Sequence, residues 1–342
     1  MPFGALQGGR EDSKLLLAGD IGGTKTSLAI ISPESGPREP LVETTFASHG
    51  YPSLDALAAE FLARVGFRVQ GACFGVAGPV VEGRARVTNV PWQMDEAQLA
   101  QALGLSTVRL INDLEAIATA VPFLSPADLH TLNVGQPEPR GAIAVVAPGT
   151  GLGEGYLIWD EACARYRACP SEGGHASFAP SDELEVDLLN FLRERHGHVS
   201  CERVCSGGGL RNIYEYLKVS GRIEEPAWLA QRLAGVDDPN PIIVEAAGDA
   251  ERSCEICVAT VDAFASILGA EAGNMALKVL ATGGVYLAGG IPRRVLPALQ
   301  ERFVTAFRRK GRMSSLLGAI PVHVIINPRV ALLGAACCGL GL

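Results

Sequence analysis

Asp20, set among glycines in GDIGGTKT (19–26), belongs to the first grouping in the chain that could do chemistry. Glycines let main-chain N–H groups converge on an anion with no Cβ in the way. The stretch comes within one residue of the Walker A pattern G-x-x-x-x-G-K-[ST]: Gly19, Lys25 and Thr26 are in register, but Thr24 stands where the second glycine belongs. A second glycine turn, PGTGLG, occupies 148–153. Asn112 and Asp113 follow an apolar run and open a helical pattern. At the carboxyl end of a strand such residues either meet a ligand or cap the next helix, and the residues alone leave both open. SEGGH (171–175) bends Glu172 and His175 around two glycines, so a carboxylate and an imidazole could reach one small ligand. A solvated surface turn would read the same way. Glu202 in CERVCSGGGL and the turn GGIPRR (289–294), with Pro292 placed for a helix start, complete the set.

The elements that must position these residues follow from periodicity. A Walker loop leads into a helix, yet GDIGGTKT lies between the apolar runs LLLA (15–18) and SLAII (27–31). That is strand, glycine turn, strand, so the Walker reading fails. AIAVVA (142–147), PGTGLG and GYLIW (155–159) repeat the same grammar, and the dinucleotide fingerprint fails there for the same reason. Two such hairpins imply an internal duplication, each half opening on a hairpin. SLDALAAEFLARV (53–65) sets Leu54, Leu57, Ala58, Phe61, Leu62 and Val65 on one helical face, with Ser53 as N-cap. Further strands are expected at 70–78, 107–111, 285–288 and 322–326. Helices are expected from 112 and near 182–196, 208–218, 251–280 and the closing ALLGAACCGL. Alternating strands and helices with added hairpins indicate mixed α/β layers.

Composition bounds the function. Across 342 residues, 48% are hydrophobic and 19% charged, enough for well-buried cores in about two domains. A formal net charge of −8 argues against nucleic acid or an anionic membrane as the main partner. The apolar stretch ICVATVDAFASIL is broken by Asp262, so no membrane span is expected. The opening MPFGALQGGREDSK lacks a signal-peptide pattern and reads as a flexible tail over 1–14, and a cytoplasmic chain is expected. Nine cysteines read as reduced, mostly buried thiols. Cys254-x-x-Cys257 with Cys201-x3-Cys205 could in principle hold zinc, but core packing accounts for them.

AGDIGGTKT, LINDLEAIA, PGTGLGEGYLI, SEGGHASFAP, CERVCSGGGL and LAGGIPRR together resemble, in order and spacing, the bacterial glucokinase family of the hexokinase, actin and Hsp70 ATPase superfamily. The resemblance runs from about Leu15 to the end. It implies an α/β fold of two ribonuclease-H-like (actin-like ATPase) domains around a central cleft, the smaller spanning 15–112 plus 327–342 and the larger 113–326. It implies an ATP-dependent glucokinase that phosphorylates the 6-hydroxyl of D-glucose.

By the same resemblance Gly19, Asp20, Ile21, Gly22, Gly23 and Thr24 form a first phosphate loop, and Gly149, Thr150, Gly151 and Gly153 a second. Gly289 and Gly290 hold adenosine. Asp20 is implied to face Mg²⁺ through water, since a carboxylate beside a triphosphate is repulsive unless a cation intervenes. Asp113 is implied as catalytic base, with Asn112, Asp113, Glu172, His175 and Glu202 as sugar ligands. Carboxylate acceptors suit a polyhydroxylated neutral substrate. No cysteine follows His175 until Cys201, which disfavours the related zinc-bearing sugar-kinase branch. A homodimer is implied. A kinase of another hexose or N-acetylhexosamine, and a non-catalytic sugar sensor on the same fold, stay open as alternatives.

Overall fold

The computed structural model describes residues 14–87, 90–249, 251 and 254–342, so all but the last residue of the expected N-terminal tail lies outside the described residues. The chain divides into two compact units: one reaches to Val121 and is completed by Pro328–Leu342, and the other is Pro122–Asn327.

In the first unit the elements run β1 (Leu16–Ile21), β2 (Lys25–Ile31), β3 (Val42–Ala47), α1 (Leu54–Val65), β4 (Gly71–Val76), β5 (Val80–Val81), β6 (Arg84–Arg86), β7 (Gln93–Asp95), α2 (Glu96–Leu103), β8 (Thr107–Asn112) and α3 (Asp113–Ala120). Strand order in the main sheet is β3-β2-β1-β4-β8. β1, β2 and β3 are antiparallel neighbours, while β4 and β8 run parallel to β1. β1 and β4 are apolar along nearly their whole length because parallel central strands are covered on both faces. One face packs Phe46, Phe61, Phe74 and Trp92 into a core; each such buried side chain contributes on the order of 1.5–3 kcal/mol. α1 begins where Ser53 accepts from the Ala56 N–H and ends at Gly66, whose φ of 72° is the left-handed stop.

The second unit contains β9 (Leu129–Asn133), β10 (Ile143–Pro148), β11 (Leu152–Asp160), β12 (Arg165–Ser171), α4 (Glu183–His196), α5 (Gly207–Val219), α6 (Ala227–Leu233), α7 (Asn240–Gly248) and α8 (Glu255–Val279). It continues with β13 (Gly284–Leu287), α9 (Gly290–Arg294), α10 (Leu296–Ala298), α11 (Val304–Arg308), α12 (Ser314–Ala319) and β14 (Val322–Ile325). Its sheet order is β12-β11-β10-β13-β14-β9. The first five positions repeat the other unit's pattern: an antiparallel β10-β11-β12 meander, then β13 and β14 parallel to β10. This is the ribonuclease-H-like order twice over, and the duplication read from the hairpins is present in the topology. α8 is long and apolar enough to cross a membrane by length and composition, but 72% of its most apolar window is buried in the protein. Cys201, Cys205, Cys254 and Cys257 are free thiols packed in this unit's core.

The last helix, α13 (Val330–Leu340), belongs to the first unit. It is apolar on nearly all sides because it is buried from Val330 to Cys337. Gly334 lets it lie directly on α3: a Cβ there would overlap the Ala116 carbonyl. This packing holds α3 in the first unit, so the chain divides later than the boundary expected after Asn112. GGIPRR also departs from the expected turn. Gly289, at φ 88°, caps α9, and Pro292 sits inside that short helix.

Candidate active site

In the first unit, the first glycine turn is a tight hairpin. Gly22 donates its N–H to the Lys25 carbonyl at 3.0 Å, and Ser48 donates its hydroxyl to the Gly22 carbonyl at 2.7 Å. The buried Thr26 and Ser48 hydroxyls meet at 3.0 Å beneath it. Ser48 is a part of the loop that the sequence reading missed; only its position one strand beyond the hairpin could have pointed to it. The Gly22 amide is thus spent inside the turn, while Thr24 in the same turn is exposed. Gly19 and Ile21 play a different part. Ile21 is fully buried, and a Cβ at Gly19 would strike Phe74 and Leu28, so packing alone accounts for that glycine.

Asp20 lies at the end of β1, in register with Gly75 on β4, which in turn pairs with Ile111 on β8. Burial, and then the charge of Asp113, push the Asp20 carboxyl up to about 6. Burial likewise raises Asp113, partly offset by hydrogen bonds to it. Two half-buried carboxylates that repel one another, with no basic side chain contributing to Asp20, form a hard oxygen donor set of the kind Mg²⁺ takes. The residues present therefore fit the implied cation.

Asn112 is the N-cap of α3, its Oδ1 accepting from Leu114 N–H at 2.9 Å while its Nδ2 donates to the Gly78 carbonyl at 2.9 Å. Asp113 Oδ1 accepts from the same Leu114 N–H at 2.9 Å, leaving its other oxygen outside the cap. The capping reading of Asn112 is thus realised, and the cap fixes Asp113 at the strand's carboxyl end.

The second unit gathers its share around the other hairpin. Gly149 donates to the Gly151 carbonyl and accepts from Gly207 N–H, each at 2.8 Å, which seats the start of α5 against the turn. The positive end of that helix dipole favours negative charge there. Exposed Thr150 forms the tip, while Gly153 lies within β11 opposite Ala147. Glu202 Oε2 accepts from Leu152 N–H at 3.1 Å and fills the space that a Cβ at Gly151 would need. Glu172 and His175 bracket a single 3₁₀ turn, His175 Nε2 lying 3.8 Å from Glu172 Oε2, both largely exposed. Gly174 of that turn sits on the Leu152 carbonyl, where a Cβ would overlap it. Gly289 packs on the carbonyl of Pro148, and Gly290 stands open beside it. The second glycine turn, the SEGGH bend, Glu202 and Gly289 are therefore one contiguous assembly about residues 148–154.

The chain is similar to known proteins along nearly its whole length. The glucokinase family profile matches residues 17–341. The chain is 41% identical over 339 residues to the glucokinase of Nostoc punctiforme, covering 95% of this chain and 98% of that one. Among solved structures, a glucokinase from an Antarctic psychrotroph superposes with a TM-score of 0.83 at 33% identity, covering 96% and 99% of the two chains. The fold is shared with a ROK family glucokinase from Streptomyces griseus in complex with glucose and AMPPNP, at TM-score 0.62, 21% identity and coverage of 96% and 100%.

Proposed function

The chain belongs to the glucokinase family, and from that premise we propose that it transfers the γ-phosphoryl group of ATP to the 6-hydroxyl of D-glucose. The observation that carries the reading is Asp113: a half-buried carboxylate, held by a helix cap at the carboxyl end of β8, with Asp20 close enough to feel its charge. Asp113 accepts the proton of the attacking hydroxyl, and the burial that raises its basicity brings it nearer to neutral pH, where a general base works best. A loose phosphoryl-transfer transition state asks little more of the base than position.

The amides of Gly23 and Thr24 and those of Thr150 and Gly151 hold phosphate oxygens, with Gly19, Ile21, Gly22, Gly149 and Gly153 shaping the two loops. Gly289 and Gly290 leave room for adenosine. Glu172, His175 and Glu202 take sugar hydroxyls, and Asn112 offers what its capping bonds leave free. Rejection of other sugars follows if a missing or inverted hydroxyl leaves one of these acceptors unpaired. Asp20 would hold Mg²⁺, which would supply neutralisation of the phosphate charge. The proposal extends to a homodimer in the cytoplasm, a reading supported by the family resemblance alone.

The test is a coupled assay for ADP with Mg·ATP and glucose, with the product identified by phosphorus NMR. Glucose 6-phosphate supports the reading, and a phosphate ester at another carbon or no glucose-dependent ADP overturns it.

A further inference from the structure

Glu154, between the second glycine turn and the rest of β11, has no role in the reaction described above. It is 1% exposed, and neither carboxyl oxygen has a hydrogen-bond partner. A buried carboxyl without donors is costly to charge and needs a reason to be there. Its surroundings supply one. Glu154 pairs in the β11–β12 ladder with Ser171, the residue that opens SEGGH. The Ser171 hydroxyl accepts from Gly173 N–H at 2.9 Å. The Glu154 carboxyl itself occupies the space beneath Gly173, where a Cβ would overlap Oε2. With Gly174 on the Leu152 carbonyl, the whole Glu172–His175 turn is seated on residues 152–154.

We propose that Glu154 is a positioning residue for the sugar-binding turn: its carboxyl, wedged beneath Gly173, sets where Glu172 and His175 are presented. The inference rests on the reading of that turn as part of the glucose site.

The groups facing Glu154 determine when the wedge is neutral. Glu271 and Lys278 approach from α8, and the thiols of Cys201 and Cys205 from the segment before α5. Glu271 is already engaged, accepting from Asn274 at 2.9 Å with Lys278 at 3.5 Å. Burial first, then the Glu271 charge, raise the Glu154 carboxyl to about 7, with Lys278 opposing. Below that pH an uncharged carboxyl packs under Gly173. Above it, a charge with no donor repels Glu271, and the turn loses its seat.

The experiment compares wild type with Glu154→Gln, which keeps the wedge and cannot ionise, and with Glu154→Ala, which removes it. From pH 6.5 to 8.5 the wild-type KM for glucose should rise at least about fivefold more than that of Glu154→Gln, with kcat changing alike in both. Glu154→Ala should show the raised KM at both pH values. Parallel KM profiles for wild type and Glu154→Gln overturn the proposal. Amide exchange at 172–176 in the ligand-free proteins reads the same seat without any sugar. After correction for intrinsic rates, wild type should lose protection through pH 7 and Glu154→Gln should not. If wild type turns over no glucose, the functional reading fails and the exchange comparison alone decides the positioning role. If Glu154→Gln does not fold, wild-type exchange at the turn decides, and protection unchanged from pH 6.5 to 8.5 overturns the proposal.

Discussion

Replacing Asp20 by Asn should make the protein more stable and less active, and the gain should depend on pH in a specific way. The Asp20 carboxyl stands at about 6 in the fold against an ordinary value of 3.8. Below 3.8 both folded and unfolded chains hold the proton, and the group costs nothing. As pH rises from 3.8 to 6 the unfolded chain releases its proton while the fold retains it, so stability falls, and the penalty is complete above 6. At about 1.4 kcal/mol for each tenfold change in acidity, the full penalty is up to about 3 kcal/mol at pH 8 and about 1 kcal/mol at pH 4.5. Asp20→Asn cannot ionise and should escape it. Urea unfolding without divalent cations, at pH 4.5 and pH 8, measures both differences. Adding Mg²⁺ at pH 8 should raise wild-type stability and leave the variant unmoved, while turnover in the variant drops. A variant no more stable than wild type at pH 8, or one whose gain is equal at the two pH values, would refute the picture of two carboxylates awaiting a cation.

Asp113→Asn keeps an acceptor for the Leu114 N–H, so the cap should survive. Glucose affinity should stay within about tenfold while kcat falls by roughly 10²–10⁴, as titration calorimetry and steady-state kinetics would show. Because burial raises Asp113, the acid limb of the wild-type kcat profile should lie above the ordinary aspartate value and vanish in this variant. Glu202→Ala removes the acceptor for Leu152 N–H as well as a proposed sugar ligand. It should raise the KM for glucose about tenfold or more, a loss of about 1.4 kcal/mol or more, and that for ATP by a smaller factor; an unchanged ATP value would show that Glu202 does not brace the second loop. Gly334→Ala drives a methyl group into the Ala116 carbonyl and should cost on the order of 1–3 kcal/mol or more through forced separation of α13 from α3, read by urea unfolding.

Much of the fold was legible because its signals are local. The alternation of glycine turns with apolar runs marked both hairpins, and the sheet orders confirm that each opens the same five-strand pattern. Ser53 and the apolar face behind it located α1 to the residue. β3, the small β5-β6-β7 sheet, β9 and β12 were not anticipated. β3 and β12 alternate weakly and owe their place to a neighbour: the exposed and half-exposed residues of β12 become a strand because β11 supplies the ladder. The placement of α3 with the first unit was hidden for a related reason, since it depends on a contact with a helix more than 200 residues later. At the site, residue type identified the carboxylates and glycine turns, yet not what each glycine is for. Gly19 answers to Phe74, Gly151 to Glu202 and Gly173 to Glu154. Ser48 lies outside every motif and Glu154 drew no role from the one it sits in; both become visible only when each hairpin is folded against its neighbouring strands and turns.

The central claim, that this assembly phosphorylates glucose, is tested most directly by ADP release from Mg·ATP with glucose, mannose, fructose, N-acetylglucosamine, N-acetylmannosamine and no sugar. Strong release with glucose, weak release with the others and little without sugar is the predicted result. Release with another sugar in place of glucose would keep the mechanism and contradict the substrate. Silence with every sugar, from folded protein that binds ATP, would contradict the account.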